Sequence, residues 1–246
     1  MSPTYCYSES IFYDETMSYE IALFDLDYTL FDSKRSEAEA IRESLAECSI
    51  GYIPEMLTTY QLINKGLWEK LENGDISLEK LRVHRFELLL EQFAINLDAR
   101  ILADAYTRNL GMFGGLLPGA LDLLQSLDNR LKLGLVTNGV SHTQRARLKN
   151  FDIAKYFQAI VISGEFGNPK PSPAMFSEAL RILGYTEKAS VIMVGDSLTS
   201  DIRGAANFGI DSCWYNPEQV LNLTGLPATH VATSFKEIFQ ILTGGN

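Results

Sequence analysis

Cysteine is scarce in this chain of 246 residues, and its three copies lie far apart. Cys6, Cys48 and Cys213 show none of the close spacings that ligate zinc or build a disulfide framework. Isolated thiols of this kind suit a reducing compartment, where they stay unpaired and pack as small apolar side chains. The cysteine pattern therefore argues against a disulfide scaffold and predicts a cytoplasmic protein.

Basic charge and long apolar runs are also in short supply. Lys and Arg total 21 against 31 Asp and Glu, which leaves a formal net charge of −10. A protein that binds the nucleic-acid backbone needs a basic surface, so we expect no nucleic-acid polymer as a partner. No apolar stretch approaches the roughly 20 residues that span a bilayer, so we expect no membrane partner either. Composition leaves open whether the chain is a monomer or a small homo-oligomer.

The order of apolar patterns predicts an α/β fold with an inserted helical block. Short apolar runs alternate with helical segments in residues 18–33 and 111–246, which is typical of a doubly wound, Rossmann-like parallel sheet. Residues 34–110 lack strand signals and repeat apolar positions at helical spacing, which predicts an all-helical cap domain. Residues 1–17 are polar, acidic and aromatic, and we interpret them as an N-terminal extension.

Two carboxylates follow the first predicted strand, in the segment DLDYTL. Residues 21–24 are apolar, and Asp25 and Asp27 come directly after them. Ionised carboxylates repel each other and are costly to bury, so their place at the end of a core strand needs an explanation. A bound Mg²⁺ would neutralise the pair, and the two could then divide nucleophile and acid work. The alternative is a turn, where aspartate commonly bonds to the backbone.

Three later strings place further polar residues at strand ends, namely LGLVTNG, GNPKPSP and VIMVGDSLTSD. They contribute Thr137 and Asn138, then Lys170, then Asp196 and Asp201. Because the carboxyl ends of parallel strands lie at one edge of a sheet, we expect these side chains to converge with the first two carboxylates. Four carboxylates, a hydroxyl, an amide and an ammonium suit a divalent metal together with a phosphoryl group. For single strings the alternatives are a tight turn at TNG and a solvent-exposed lysine.

In this order and spacing the four strings resemble the motifs of the haloacid dehalogenase-like hydrolases with a helical cap. The DxDxT motif matches at Asp25–Thr29, the threonine motif at Thr137, the lysine motif at Lys170, and GDSxxxD over residues 195–201. Within the cap, residues 64–87 resemble the pyrimidine 5′-nucleotidases of the YjjG type. The resemblance implies hydrolysis of a small phosphorylated metabolite, with a nucleoside 5′-monophosphate as the expected substrate.

The resemblance also implies a role for each matched residue. Asp25 would attack phosphorus and form an aspartyl-phosphate, while Asp27 would serve as general acid and base. Lys170 would neutralise charge on the phosphoryl group. The expected metal ligands are the carboxylates of Asp25 and Asp196 and the backbone carbonyl of Asp27.

Supporting roles fall to the remaining matched residues. Thr137 and Asn138 would donate hydrogen bonds to phosphoryl oxygens. Asp201 would support the metal site without ligating the ion directly, and it would also complement the dipole of the helix that begins near it.

Substrate specificity is expected to lie in the cap, because the core contacts only the phosphoryl group that all phosphomonoesters share. Trp68 and Phe86 fall at apolar helical positions, where either could stack on a nucleobase or pack within the bundle. His84 and Arg85 are two further cap residues that could face a substrate.

Three alternative functions remain open. A phosphosugar or other small-metabolite phosphatase would use the same catalytic residues and differ only in the cap. A 2-haloacid dehalogenase needs no metal and, in this family, lacks the second aspartate of the first motif, so Asp27 and Asp196 disfavour it. A catalytically silent binding protein is disfavoured because the nucleophile, acid, metal-ligand and lysine positions are all filled. The sequence therefore predicts a Mg²⁺-dependent phosphatase.

Overall fold

The computed structural model describes residues 19–245, and a six-stranded parallel sheet forms their centre. The strands lie in the order β3-β2-β1-β4-β5-β6, which is a common order in doubly wound sheets. Their bounds are β1 (Ile21–Phe24), β2 (Lys132–Thr137), β3 (Ala159–Ile162), β4 (Val191–Gly195), β5 (Asp211–Tyr215) and β6 (His230–Ala232). This architecture confirms the predicted Rossmann-like α/β core.

The central strand β1 is apolar along its whole length because both faces of the sheet are covered. Ala22 and Phe24 pack into the apolar cluster on one face, while Ile21 and Leu23 pack into the cluster on the other. All four side chains are fully buried. Because β1 pairs in parallel with both β2 and β4, the residue that follows it, Asp25, lies between the ends of two neighbouring strands.

Ten α-helices accompany this sheet within the described residues. Four of them follow β1 without an intervening strand, namely α1 (Ser33–Glu47), α2 (Pro54–Glu72), α3 (Leu78–Gln92) and α4 (Ala99–Leu110). The others are α5 (Ala120–Leu127), α6 (Ser141–Asn150), α7 (Ser163–Phe166), α8 (Pro173–Leu183), α9 (Arg203–Phe208) and α10 (Phe235–Thr243). The remaining helical segments are a 3₁₀ turn (Ala154–Tyr156) and a π-helical turn (Leu198–Ile202).

The first four helices pack on one another as a bundle with its own apolar core. At its centre lie the rings of Tyr60, Phe86 and Tyr106, whose centroids are 5.2–5.7 Å apart and whose side chains are fully buried. Large buried rings in mutual contact contribute strongly to the stability of such a core. The all-helical insertion is therefore confirmed, while the domain boundaries at residues 34 and 110 stay a prediction.

Two further predictions concern whole segments of the chain. Within residues 19–245 no helix is both long enough and apolar enough to cross a membrane. The N-terminal extension predicted for residues 1–17 lies outside the described residues and stays a prediction.

The two cysteines inside the described range, Cys48 and Cys213, are free thiols.

Two helical glycines are predicted to respond in opposite directions to alanine substitution. A Cβ at Gly66 in α2 would meet no atom within 4 Å, so Gly66→Ala should stabilise the fold by about 1 kcal/mol through helix propensity. A Cβ at Gly204 in α9 would lie 2.6 Å from the ring of Phe176, so Gly204→Ala should destabilise it by about 1–3 kcal/mol.

Thermal melts followed by circular dichroism would measure both shifts beside the native chain. One kcal/mol corresponds to roughly 2–4 °C in a protein of this size. A lowered melting temperature for Gly66→Ala would contradict the open surface on that side of α2, and an unchanged one for Gly204→Ala would contradict the tight packing against Phe176.

Candidate active site

The ends of β1 and β4 form the switch point of the sheet, because the strand order runs outward in opposite directions from this pair. Doubly wound sheets bind ligands at such a position. Asp25 follows β1, and Asp196 follows β4. The main-chain N–H of Asp25 donates to the carbonyl of Val194 at 2.9 Å, which ties the two strand ends together. The structure thus brings the first and last motifs to one edge, as predicted.

Lys170 lies between two carboxylates at this edge. Its Nζ donates to Asp25 Oδ1 at 2.5 Å and to Asp201 Oδ1 at 2.6 Å. Only 1% of the lysine side chain is exposed, and both carboxylates are buried as well. Because little water screens these charges, the ammonium and the two carboxylates depend strongly on one another. Lys170 is therefore a buried cation and not a solvent-exposed loop residue.

Burial and mutual repulsion shift the acid–base equilibria of this cluster. Burial raises the pKa of Asp25 to about 7, against the opposing charge of Lys170 and with added repulsion from Asp201. Burial also raises the pKa of Asp196 well above its usual range, reinforced by Asp201 and Asp25. Burial lowers the pKa of Lys170, but the two neighbouring carboxylates outweigh it and the net shift is upward. Three carboxylates share one ammonium here, so a divalent cation would balance the remaining negative charge.

Asp201 is more central to this cluster than the sequence indicated. In place of the expected start of an α-helix, residues 198–202 form a π-helical turn, and the Asp201 side chain is fully buried. Its Oδ2 accepts the main-chain N–H of Ser197 at 3.0 Å, while its Oδ1 accepts Lys170. A Cβ at Gly195 would collide with Asp201 Oδ2. The close approach of this carboxylate therefore requires the glycine of the GDS string.

Asp196 is held by contacts to two neighbouring elements. Its main-chain N–H donates to the Thr29 hydroxyl at 3.1 Å, and that hydroxyl donates to Asp196 Oδ1 at 3.3 Å. Trp214 in β5 donates from Nε1 to the Asp196 carbonyl at 2.8 Å. Thr29, the last residue of the DxDxT string, thus fixes the two acidic motifs relative to each other.

One carboxylate oxygen from each of Asp25, Asp196 and Asp201 lies within 4.8 Å of the other two. Hard oxygen donors of this kind suit Mg²⁺, which takes few protein ligands and keeps several waters. The donor chemistry of the cluster therefore fits a magnesium ion. Asp201 lies in this group beside Asp25 and Asp196, the two carboxylates predicted as ligands, and its supporting role stays a prediction. Asp27 is predicted to ligate the metal through its backbone carbonyl. The positions of the carboxylates do not test this role, which stays a prediction.

Three other residues hold the side chain of Asp27. Oδ1 accepts hydrogen bonds from Ser33 Oγ and from Arg147 Nη1, both at 2.5 Å. Oδ2 accepts a hydrogen bond from Gln144 Nε2 at 2.7 Å. Gln144 and Arg147 are both buried, although they lie on a basic helix. Sequence reasoning missed these two residues because a basic helix is typical of a solvent-exposed surface.

These partners set the charge state of Asp27. Burial raises its pKa, but the Arg147 guanidinium and the hydrogen bonds from Ser33 and Gln144 outweigh burial, so the pKa lies below its usual value. Asp25 and Asp27 thus stand two residues apart with pKa values displaced in opposite directions. The two carboxylates thus lie in unlike surroundings, and neighbouring carboxylates in unlike surroundings can take different roles in one reaction.

Thr137 ends β2 and Asn138 follows it at the same edge, but their polar side-chain atoms have partners inside the protein. The buried Thr137 hydroxyl accepts Gln144 Nε2 at 2.8 Å. Asn138 Nδ2 donates to the Lys170 carbonyl at 3.1 Å, and Asn138 Oδ1 accepts the Lys170 N–H at 2.8 Å. The structure therefore shows Asn138 positioning the lysine loop. Contacts from Thr137 and Asn138 to a phosphoryl group remain predictions.

A cavity of about 610 Å³ extends from the acidic cluster into the cap. This volume falls within the roughly 300–1,000 Å³ that is typical of small-molecule sites. Its core end is lined by Asp25, Asp27, Lys170, Asp196 and Asp201, and its cap end includes Glu37, Asn64, Trp68, Glu72 and Arg85. The site thus has a charged end in the core and a separate end of mixed polarity in the cap.

The cap residues selected from the sequence divide into two groups. Trp68 and Arg85 line the cavity, although stacking of Trp68 on a base remains a prediction. Phe86 is fully buried in the core of the bundle, so the prediction that it could stack on a nucleobase is wrong. His84 pairs with Glu87 at 2.7 Å and does not line the cavity.

Replacement of the buried ammonium of Lys170 is predicted to lower the stability of the metal-free protein and to increase the stabilisation that Mg²⁺ provides. Lys170→Met leaves three carboxylates crowded together, so the metal-free protein should lose about 3–5 kcal/mol of stability. Mg²⁺ should then raise the melting temperature more in the variant than in the native chain, because the cation relieves a larger repulsion. Thermal melts in chelator and in Mg²⁺ would measure both effects.

Lys155→Met provides the control for this experiment. Lys155 pairs with Asp152 on the surface, and the two side chains are 55% and 80% exposed, so its loss should leave both melts unchanged. An equal Mg²⁺-induced shift in the Lys170 and Lys155 variants would contradict the proposed balance of charge around Lys170.

Relatives of known name match this chain over most of its length. The pyrimidine 5′-nucleotidase PynA of Streptococcus pneumoniae is 37% identical over 92% of this chain and 96% of its own length. The pyrimidine 5′-nucleotidase YjjG of Escherichia coli is 33% identical over 92% of this chain and 99% of its own length.

The structural similarity is equally extensive. A crystal structure of the HAD-hydrolase YfnB from Bacillus subtilis bound to magnesium matches with a TM-score of 0.86 at 33% sequence identity, covering 92% of this chain and 99% of that chain. The family model described as haloacid dehalogenase-like hydrolase matches residues 22–215, which contain all four motifs. Motif order, fold and identity over almost the whole chain agree, and the chain belongs to the haloacid dehalogenase-like hydrolase family.

Proposed function

We propose that this chain is a Mg²⁺-dependent phosphomonoester hydrolase that acts through an aspartyl-phosphate on Asp25. The observation that carries the proposal is the buried cluster of Asp25, Lys170, Asp196 and Asp201 at the switch point of the sheet. A nucleophilic carboxylate beside an ammonium and a set of metal ligands suits attack on a phosphoryl group. Two relatives named as 5′-nucleotidases, which hydrolyse phosphomonoesters, support it.

The residues of the site divide the reaction between two steps. An Asp25 oxygen attacks phosphorus, the bond from phosphorus to the ester oxygen breaks, and the leaving alkoxide takes a proton from Asp27. Asp27 then accepts a proton from water, the resulting hydroxide attacks phosphorus, and the bond to Asp25 breaks to release phosphate. Lys170 stabilises the negative charge in both steps. When bound by the carboxylates of Asp25 and Asp196 and the backbone carbonyl of Asp27, with Asp201 in support, Mg²⁺ would supply Lewis-acid polarisation of a phosphoryl oxygen.

The proposed substrate is a pyrimidine nucleoside 5′-monophosphate. PynA and YjjG are both named pyrimidine 5′-nucleotidases, and the matches span 96% and 99% of their lengths. The cavity supports the assignment because it continues past the acidic cluster into the cap, where Trp68 and several polar side chains provide a second set of contacts. Thr137 and Asn138 would donate hydrogen bonds to the phosphoryl oxygens at the core end of the cavity.

Domain roles and location follow from the same assignment. Residues 18–33 and 111–246 would form the catalytic core, and residues 34–110 would form the cap that covers the substrate. A cytoplasmic location suits the free thiols of Cys48 and Cys213.

A panel of substrates separates this assignment from its alternatives. Pyrimidine and purine monophosphates, sugar phosphates and 2-haloacids would be assayed with and without Mg²⁺. We expect the fastest turnover with a pyrimidine monophosphate in Mg²⁺. Faster turnover of sugar phosphates would favour a phosphosugar phosphatase, and halide release without Mg²⁺ would favour a dehalogenase.

Replacement of the nucleophile tests the covalent step. Asp25→Asn should lower kcat for uridine 5′-monophosphate at least about a thousandfold, because an amide cannot form the acyl-phosphate. Asp152→Asn, at an exposed position, serves as the control and should retain native turnover. Chelator should abolish the activity of the native chain, and Mg²⁺ should restore it. Full activity in chelator, or native turnover by Asp25→Asn, would refute the mechanism.

The acid role of Asp27 predicts a dependence on the leaving group. Asp27→Asn should slow hydrolysis of alkyl phosphates much more than hydrolysis of p-nitrophenyl phosphate, because the aryl group departs without taking a proton. Steady-state kinetics on both ester types would measure the effect, and equal losses would count against the acid role.

A further inference from the structure

Three helices of the cap each direct one polar side chain into a shared cluster on the cavity wall. These residues are Glu37 from α1, Asn64 from α2 and Arg85 from α3. Asn64 bridges the other two, because its Oδ1 accepts Arg85 Nη1 at 3.1 Å and its Nδ2 donates to Glu37 Oε1 at 3.3 Å. The cluster thus places a cation, an amide and a carboxyl group next to one another at the cap end of the cavity.

Arg85 carries a charge that the described residues satisfy only in part. It is 5% exposed, and no carboxylate of residues 19–245 forms an ion pair with it. Its Nη1 donates to Asn64 and to Tyr60 Oη, whereas its Nε has no partner in that range. The guanidinium lies 4.7 Å from the centroid of the Tyr106 ring, which compensates part of the cost of burial. A buried cation on a cavity wall that no carboxylate of the described residues neutralises indicates a ligand contact.

Glu37 offers a complementary acceptor in the same cluster. Its Oε1 accepts a hydrogen bond from Asn64, and the Tyr28 hydroxyl lies close to the same carboxyl group. Burial raises the pKa of Glu37 to about 7, and repulsion from Asp27 adds to this shift. Because a carboxylate has about four lone-pair sites, these two groups leave room for a donor from a ligand.

We propose that Arg85 and Glu37 recognise the base of the substrate through an adjacent carbonyl oxygen and ring N–H, the pair found in the imide of uracil and thymine. Arg85 donates to the carbonyl oxygen, Glu37 accepts the ring N–H, and Asn64 holds the two side chains in place. This assignment rests on the proposed nucleotidase function and adds to it the residues that select the base.

Other bases match the cluster less well. Cytosine N3 carries no hydrogen, so above the Glu37 pKa of about 7 its lone pair would face an ionised carboxylate. Adenine has no carbonyl oxygen to accept a hydrogen bond from Arg85. A site that leaves buried polar groups unpaired with the wrong ligand discriminates more strongly than an apolar pocket does. The cluster therefore predicts a preference for uracil and thymine over cytosine and adenine; guanine presents the same pair at O6 and N1, so this cluster does not discriminate against it.

The first test compares two substrates in Arg85→Met. Uridine 5′-monophosphate carries the base, whereas ribose 5-phosphate shares the sugar and the phosphate but lacks it. The ratio of kcat/KM for uridine 5′-monophosphate to kcat/KM for ribose 5-phosphate should fall about 10- to 100-fold. The reason is that a charge-assisted hydrogen bond is lost only with the nucleotide. Arg82→Met in the same helix is the matched control, since Arg82 pairs with Asp104 and does not line the cavity, and its ratio should equal that of the native chain.

Glu37→Gln tests the acceptor independently. The neutral amide can donate to N3 of cytosine, so the preference for uridine over cytidine 5′-monophosphate should fall about tenfold. The variant keeps the size of the side chain, and a thermal melt would verify its fold. If Arg85→Met does not fold, the measurement on Glu37→Gln alone tests the proposal.

The outcomes separate this inference from the proposed function. Parallel losses on nucleotide and sugar phosphate in Arg85→Met, or an unchanged preference between uridine and cytidine monophosphates in Glu37→Gln, would overturn the inference while leaving the phosphatase intact. If the native chain does not turn over ribose 5-phosphate, acetyl phosphate becomes the reference without a base. Failure of the native chain to hydrolyse any of these esters in Mg²⁺ would overturn the proposed function itself.

Discussion

The core end of the site depends on one buried ammonium. Lys170 Nζ contacts Asp25 and Asp201, and without it three carboxylates would share a space largely shielded from water. Much of the surrounding structure positions that ammonium. The amide of Asn138 fixes the main chain of Lys170 through two hydrogen bonds, and Gly195 leaves the space that Asp201 occupies. A parallel sheet makes this possible, because residues far apart in the chain end at the same edge.

This edge can be predicted from the sequence because its acidic motifs directly follow apolar runs. A short apolar run indicates a strand covered on both faces, and polar residues at its end must lie where the sheet meets a loop. Asp25 and Asp196 lie at such positions, and Lys170 joins them from a loop. The helical cap is predictable for a related reason, since apolar positions at helical spacing require other helices to pack against.

Contacts between side chains on different helices cannot be predicted in the same way. Nothing in the basic composition of α6 indicates that Gln144 and Arg147 are buried against Asp27. Arg85 and Phe86 are neighbours in α3, yet one lines the cavity and the other packs in the bundle, because successive residues point about 100° apart around a helix. Periodicity identifies an apolar face, but the rotation of each helix toward a shared cavity depends on how the helices pack.

Tyr28 connects the two ends of the cavity. It follows Asp27 directly and has a φ of 60°, a left-handed conformation that is uncommon for a bulky side chain and that often marks a functional site. Its hydroxyl lies close to Glu37 in the first helix of the cap. The short segment that carries the nucleophile Asp25 therefore also contacts the cluster that we assign to the base. A base bound at Glu37 would lie beside Tyr28, so recognition in the cap and attack at phosphorus share one structural connection.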